Sequence, residues 1–325
     1  MQEDSPQFEC YAIAVVIPAY QVEIYLAGVL AALPEYIRYI IVVNDCSPDH
    51  TRQVVETAME SDRRILLINH VQNLGVGGAM ISGFQKALEL NCQFVVKMDG
   101  DGQMSPEYLP ALLMPLILRQ ADCTKGNRFR DLSFLHRMPF IRRLGNVLLG
   151  FLAKAATGYW NCFDPTNGYL ALRAEVLAQL PWEDIHRSYF FEISLLGQLY
   201  LLGALIREIP MPALYNGEKS SLSITRILFE FPPKLFKMFL RRIVLKLFVY
   251  DFSMASVYLL TGLPLLLFGV IFGAVKWVYY ASRNVPAPTG TIMLAVISVI
   301  LGVQLLLAAI QIDIQAVPHE PLVRP

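Results

Sequence analysis

Along the first part of the chain, short unbroken apolar runs take turns with longer stretches of mixed, helix-spaced pattern. The runs are "YAIAVVIPAY", "IRYIIVVND", "RILLIN" and "QFVVKMD". None alternates polar with apolar and Val and Ile dominate, so they read as strands of a parallel sheet covered on both faces. The stretches near 22–33, 49–60 and 76–90 read as crossover helices. The predicted class is α/β: a doubly wound, mainly parallel sheet with helices on both sides. In such sheets ligands bind beyond the carboxyl ends of the strands. That singles out Pro18, Ala19 and Tyr20 after the first run, 44–47 after the second and 99–101 after the fourth.

Beyond residue 225 the pattern changes. "TRILFEFPPKLFKMFLRRIVLKLFVYD" sets Arg226, Lys234, Lys237, Arg241, Arg242 and Lys246 among Leu, Phe and Ile at helical spacing. Such a basic amphipathic segment suits an anionic membrane face. Two charge-free runs follow, 252–275 and 291–312, each long enough to cross about 30 Å of hydrocarbon. "KWVYYASRNVPAPTG" between them reads as a short hairpin loop with interfacial aromatics. Six Lys and Arg precede the first span and two lie in the loop, which puts residues 1–250 and both termini in the cytoplasm by the positive-inside rule. The expected organisation is a domain over 1–225, a juxtamembrane segment over 226–250, and a transmembrane hairpin with a short tail over 251–325. So narrow an anchor suits self-association into a homo-oligomer.

Composition adds exclusions. The hydrophobic share of 55% is concentrated near the C-terminus, and a formal net charge of zero gives no sign of a nucleic-acid partner. Five cysteines, widely scattered and without C-x-x-C, argue against a disulfide framework or a zinc site and read as reduced thiols facing the cytosol. The start, "MQEDSPQFEC", is acidic and polar, and no cleaved signal peptide is visible in it.

The densest candidate chemistry is "KMDGDGQMSP". Asp and Gly are ordinary turn formers, yet Asp99 and Asp101 flank Gly100 just past a strand. Two carboxylates at i and i+2, with a glycine to turn the backbone tightly, can direct oxygens at one divalent cation. In "VNDCSPDHT", Ser47 or Asp49 reads as a helix cap and Asp45 is left pointing into the crevice. The glycines of "NLGVGGAMISGFQKA" open the helix after the third strand, whereas a dinucleotide fingerprint follows the first. They read as close helix–sheet packing. His136 and His186 show no ligand spacing.

In order and spacing, "VVIPAY", "VVNDCSPDHT", "NLGVGGAMISGF" and "VKMDGDGQMSPEYL" resemble the start of the family 2 glycosyltransferases with the GT-A fold. "KGNRF", "RRLGN", "DPTNGYLALR" and "EIPMPALYNGEKSSL" carry the resemblance through nearly all of residues 11–224. With the hairpin, the chain is similar to the dolichyl-phosphate mannose synthase-like branch. The resemblance implies inverting transfer of a sugar from a UDP- or GDP-linked donor to undecaprenyl or dolichyl phosphate, at the cytoplasmic face of a bacterial inner membrane. It implies Mg2+ or Mn2+ on Asp99 and Asp101. Asp45 would accept a hydrogen bond from the base, and Pro18 to Tyr20 would line the nucleoside. Arg128, Arg142 or Arg143, and Lys219 are the cations for phosphate oxygens. Asp164 is either a base or an organiser of the acceptor, and Glu192 a structural or loop-anchoring acid. The chain departs from the pattern at "PALYNGEKSS", where many members carry an arginine and Lys219 is the substitute. Three other readings remain: transfer to a hydroxyl of a lipid-linked glycan, a processive polysaccharide synthase, and a non-catalytic glycosyltransferase-like membrane subunit. The second lacks its Q-x-x-R-W stretch here.

Overall fold

The computed structural model describes residues 8–128, 140–212 and 224–322, with the side chains of 140–144, 146 and 224–229 outside that description. The four apolar runs are strands β1 (Ile13–Ala19), β2 (Tyr39–Asn44), β3 (Ile65–Asn69) and β4 (Phe94–Lys97). Between them lie α1 (Glu23–Ala31), α2 (Thr51–Ser61) and α3 (Gly75–Glu89), within a few residues of expectation. Three further strands, β5 (Cys123–Asn127), β6 (Leu170–Arg173) and β7 (Ile206–Pro210), complete a seven-stranded sheet ordered β3-β2-β1-β4-β6-β5-β7. Only β6 runs against its neighbours, while the other pairings are parallel.

Alternate residues of β1 serve opposite faces, as a strand's period of two requires. Ile13, Val15, Ile17 and Ala19 join a core with Leu26, Val29 and Leu30 of α1 and Leu109, Leu112 and Leu113 of α4 (Leu109–Ile117). Val16 faces α3, where a Cβ on Gly83 would lie 2.2 Å from Val16 Cγ1. A second core gathers Ala153, Ala156, Phe190, Ile193, Phe231 and Leu235. The chain returns from β3 to pair β4 on the far side of β1. The topological switch therefore falls between β1 and β4, at the carboxyl edge where ligands bind.

Two compact units are resolved: Met1–Phe239 together with Pro318–Pro325, and Leu240–Val317. The division lies past the expected 225, because the helix Ile224–Val244 continues through Pro232 and Pro233 and Phe231 and Leu235 belong to the second core. The end of the chain returns to the first unit: the Leu322 N–H donates to Asp122 Oδ2 at 2.8 Å, the oxygen that also accepts from the Leu205 N–H. In the second unit, Met254–Ser282 and Thr289–Gln315 are long and apolar enough to cross a membrane. The first runs past the expected 275 because "KWVYYAS" contains no helix breaker; Pro286 comes only later. The two helices pack at glycine contacts, a Cβ on Gly302 meeting Leu266 N at 2.6 Å. Arg242, almost fully buried, pairs in bidentate fashion with Asp313 at 2.6 and 3.0 Å.

Candidate active site

Pro18 and Ala19 close β1, Tyr20, Asp45, Asp99, Gly100, Asp101 and Arg128 follow the carboxyl ends of β1, β2, β4 and β5, and Asp164 lies in the loop before β6, so these share one edge of the sheet. The turns after β1 and β2 are built as a pair. Gln21 and Cys46 both adopt left-handed backbone, at φ of 57° and 55°, a cost of order 1–3 kcal/mol each that the surroundings must hold in place. The Gln21, Val22 and Glu23 N–H groups donate to Ser47 Oγ, Thr51 Oγ1 and Asp49 Oδ2 at 2.8, 3.2 and 3.4 Å. In return the His50 N–H donates to Glu23 Oε2 at 2.7 Å. Each helix start thus supplies acceptors for the other's orphan donors. His50 immediately precedes α2, but Asp49 serves that helix start as expected, its Oδ1 accepting from the Thr51 N–H at 3.1 Å while its Oδ2 serves the β1 turn; Ser47 serves the β1 turn. Burial works against the Asp49 carboxylate, but hydrogen bonds from Ser47, Thr51 and Glu23 outweigh it and hold its carboxyl below the usual range.

Asp45 does not point into an open crevice. It is buried, and its oxygens accept from the Leu74 and Gly75 N–H groups at 2.9 and 2.8 Å, with His70 Nδ1 at 2.7 Å. The cause is the start of α3, whose unpaired donors and positive dipole end attract a carboxylate. The Gly77 and Gly78 N–H groups donate to the Arg187 carbonyl at 2.8 and 3.2 Å, and a Cβ on Gly77 would come within 2.2 Å of the His186 carbonyl oxygen. Gly83 packs on the sheet as expected, whereas Gly75 and Gly77 make room for the 186–188 backbone. Protein acceptors meet these donors.

Asp99 lies at the mouth of β4, about a third exposed, and Lys97 Nζ donates to its Oδ1 at 2.6 Å. The Lys97 side chain is fully buried and also lies 3.4 Å from Glu192 Oε1. Burial opposes its charge, but the Asp99 and Glu192 carboxylates outweigh that and raise its pKa above the ordinary lysine value. Glu192 thus anchors the ammonium beneath the D-x-D turn. Asp101 Oδ1 accepts from the Gln103 N–H at 3.0 Å. The tight turn comes from Gly102, at φ of 76°, not from Gly100. A Cβ on Gly100 would press on Val22, Ile17 and Leu26 at 3.3–3.4 Å.

A second buried lysine, Lys125 of β5, donates from Nζ to the Asn167 carbonyl. Lys97 and Lys125 both stand opposite Leu170 of β6, so they flank the loop that enters that strand. A Cβ on Gly168 in this loop would lie 2.3 Å from Lys97 Nζ and 3.1 Å from Asp99 Oδ2, so any side chain there would push on the ammonium–carboxylate pair. Neither lysine belongs to the sequence-derived site. The signal available was a charged residue inside a strand that is otherwise apolar and small, in "FVVK" and "CTKGN".

The same loop begins with Asp164, which is fully buried and holds Arg128. Arg128 donates from Nε to Oδ2 at 2.8 Å, from Nη2 to Oδ1 at 3.0 Å and from its backbone N–H to Oδ2 at 3.2 Å. Thr166 Oγ1 adds a contact to Oδ1 at 3.4 Å. Four donors fill the four lone-pair directions of this carboxylate. Beneath it, Glu208 of β7 accepts from the Phe163 and Asp164 N–H groups at 2.7 and 3.0 Å and from Asn127 Nδ2 at 2.6 Å. Arg142 and Arg143 belong to the helix Phe140–Thr157, with side chains outside the described residues, as are Lys219 and His136. Pro18 and Ala19 end β1, and Tyr20, just beyond it, is 45% exposed at the rim.

Among the described residues, no three His, Cys, Asp or Glu side chains converge as a metal cage. Asp99 and Asp101 alone offer hard oxygen donors at one turn, which fits a Mg2+- or Mn2+-type ion that completes its shell from phosphate and water.

A structure of glucosyl-3-phosphoglycerate synthase from Mycobacterium tuberculosis, in complex with Mn2+, UDP and glucosyl-3-phosphoglycerate, superposes with a TM-score of 0.55 over 74% of this chain and 85% of that one. At 18% identity the likeness speaks for the fold alone. The UDP-N-acetylglucosamine–dolichyl-phosphate N-acetylglucosaminyltransferase of Methanococcus voltae is 28% identical over 251 residues, 72% of this chain and 96% of the relative. The undecaprenyl-phosphate mannosyltransferase of Micrococcus luteus is 31% identical over 173 residues, 53% of this chain and 70% of the relative. The family profile described as "Glycosyl transferase family 2" matches residues 14–180. That span runs from β1 through the D-x-D turn to β6, and it makes this chain a member of glycosyl transferase family 2.

Proposed function

We propose that the protein transfers one sugar from a nucleotide sugar to a polyprenyl phosphate at the cytoplasmic face of a membrane. The observation that carries this reading is the saturation of Asp164. A hydroxyl acceptor requires a base with an oxygen aimed at it, and Asp164 spends its oxygens on Arg128 and Thr166. A lipid phosphate is already an anion and needs no proton removed. Arg128, oriented by Asp164, is suited to pair with its oxygens through the planar guanidinium. The relatives support the class, since both are named for transfer to a polyprenyl-type phosphate.

On the donor side, Asp99 and Asp101 would hold Mg2+ or Mn2+. Such an ion supplies charge stabilisation to a departing diphosphate. Lys97 and Glu192 hold Asp99 from below, so that its second oxygen keeps one direction. The residues after β1 would line the nucleoside. Asp45 would act through the α3 start it anchors, with one lone-pair direction of Oδ2 left for a base N–H. The apolar helices Met254–Ser282 and Thr289–Gln315 would anchor the enzyme. The testing experiment offers purified full-length protein a panel of UDP- and GDP-sugars with polyprenyl phosphate and, in parallel, the matching polyprenol, in Mg2+ or Mn2+. Transfer to the phosphate alone is expected. Equal transfer to the alcohol would overturn the reading and return the base role to the site.

A further inference from the structure

The Asp45 carboxylate, just past β2, is an acceptor that is nearly used up. Its Oδ1 accepts from the Leu74 N–H at 2.9 Å and meets His70 Nδ1 at 2.7 Å, while its Oδ2 accepts from the Gly75 N–H at 2.8 Å. A carboxylate offers about four lone-pair directions, two on each oxygen. Among the described residues, Oδ1 is therefore filled and Oδ2 keeps one direction.

His70 is the residue that closes Oδ1. It follows β3, where its backbone N–H donates to the Asn44 carbonyl at 2.9 Å, and its side chain is 9% exposed. A carboxylate oxygen accepts and never donates, so Nδ1 carries a hydrogen. The other ring nitrogen, Nε2, meets Ser82 Oγ at 2.9 Å. Ser82 belongs to α3, the helix whose first amides hold the same carboxylate. Ring and amides are thus set by one rigid element, and the ring cannot leave Oδ1 without also giving up Ser82.

What such an acceptor can receive follows from the chemistry of the bases. Adenine and cytosine place a ring-nitrogen lone pair beside their amino group, and a carboxylate repels it. Uracil offers a single N3–H between two carbonyls. Guanine offers N1–H and an amino N–H side by side, a pair that fits both oxygens of an open carboxylate as a guanidinium does. With Oδ1 closed, one of guanine's donors reaches Oδ2 and the other is buried without an acceptor. An unmet donor of this kind costs about tenfold in affinity or more.

We propose that His70, held by Ser82, makes Asp45 a one-donor acceptor and so selects a uridine-type nucleotide sugar over a guanosine-type one. This rests on the nucleotide-sugar reading, with the base placed at Asp45. His70 is a positioning residue, since it touches the carboxylate and not the nucleotide. The D-x-D turn faces phosphate and treats the two nucleotides alike.

The test is calorimetric binding of UDP, GDP, inosine diphosphate and 3-methyluridine diphosphate to the full-length protein in Mg2+ or Mn2+. UDP is expected to bind at least about tenfold more tightly than GDP. Inosine diphosphate, which lacks guanine's amino group, should bind more tightly than GDP, and the 3-methyl compound should lose most of the affinity of UDP. In His70→Ala the preference for UDP should shrink severalfold, because Oδ1 is open to a second donor. His70→Asn, whose amide nitrogen hangs from Cγ as Nδ1 does, should restore it. A merely structural histidine would weaken both nucleotides together and leave their ratio alone. GDP binding as tightly as UDP overturns the proposal and leaves the nucleotide-sugar reading standing. Equal binding of UDP and its 3-methyl form, or an unchanged ratio in a folded His70→Ala variant, also overturns it. Should that variant not fold, the four affinities of the parent protein still decide. Binding of none of the four compounds overturns the nucleotide-sugar reading itself, and the proposal with it.

Discussion

The role of Asp164 can be separated from that of a base by Asp164→Asn. The side chain is fully buried and Arg128 is 32% exposed, so the guanidinium can recover part of its hydration when its partner is neutralised. The stability cost should therefore fall below the 3–5 kcal/mol of a fully buried broken pair, at about 2 kcal/mol. For activity, asparagine keeps one acceptor oxygen and turns an amide toward the second Arg128 donor. One charge-assisted hydrogen bond is lost, about 1.5–3 kcal/mol, which corresponds to roughly 10–100-fold in kcat/KM for the phosphate acceptor. Removing a general base would cost about 10²–10⁴-fold and would abolish the acidic limb of the pH–rate profile. The assay is steady-state transfer to polyprenyl phosphate across pH, with donor affinity measured separately by calorimetry. The organiser role predicts reduced turnover, an unchanged shape of the profile and unchanged donor binding. A rate within about twofold of the parent, or loss of the acidic limb, would refute it.

Asp101→Asn should retain the fold and lower turnover about a hundredfold, near 3 kcal/mol, with weaker Mn2+ binding by electron paramagnetic resonance; undiminished activity in EDTA would contradict this. Lys97→Met leaves Asp99 and Glu192 facing each other without their cation, so thermal unfolding should shift by an amount equivalent to about 3–5 kcal/mol, and an unaltered Tm would count against the buried triad. Gly168→Ala would place a methyl 2.3 Å from Lys97 Nζ and should reduce turnover more than it reduces stability; wild-type kinetics would show that the loop yields freely. In sealed inside-out vesicles, the exposed Cys46 should react with an impermeant maleimide and a cysteine at Ser282 should not, whereas labelling of both would overturn the orientation inferred from the charge count.

Where apolar pattern alone decides structure, the sequence was a sufficient guide. The runs around Val15, Ile41 and Val95 are buried strands and that around Leu67 a half-buried edge strand, and a parallel edge gathers whatever follows them. Asp99, Asp101 and Arg128 could be picked out by position and type. What could not be read were contacts between segments distant in the chain. Nothing in "VNDCSPDHT" says that Asp45 will meet the start of α3 thirty residues later, or that Ser47 will accept from Gln21. Asp164 and Arg128 each looked like a reacting group because each was read alone, and their pairing spans 36 residues. Lys97 was hidden differently: burial of an ammonium is unfavourable in isolation, and it takes Glu192, nearly a hundred residues on, together with the neighbouring Asp99 to make it tolerable.

On the membrane reading proposed above, the hydrogen bond from the Leu322 N–H to Asp122 fixes the parity of the path. A chain that leaves the catalytic domain at residue 239 and rejoins it at residue 318 forms a closed loop on that domain. Whatever route 240–317 takes through a bilayer must leave on the face by which it entered, an even number of crossings, here two or none. Insertion of one extra hydrophobic segment into the hairpin would force the tail to the opposite face and strip it from Asp122. The buried carboxylate would then lose the Leu322 donor, so an error in counting crossings would register inside the catalytic domain as a defect in its folding.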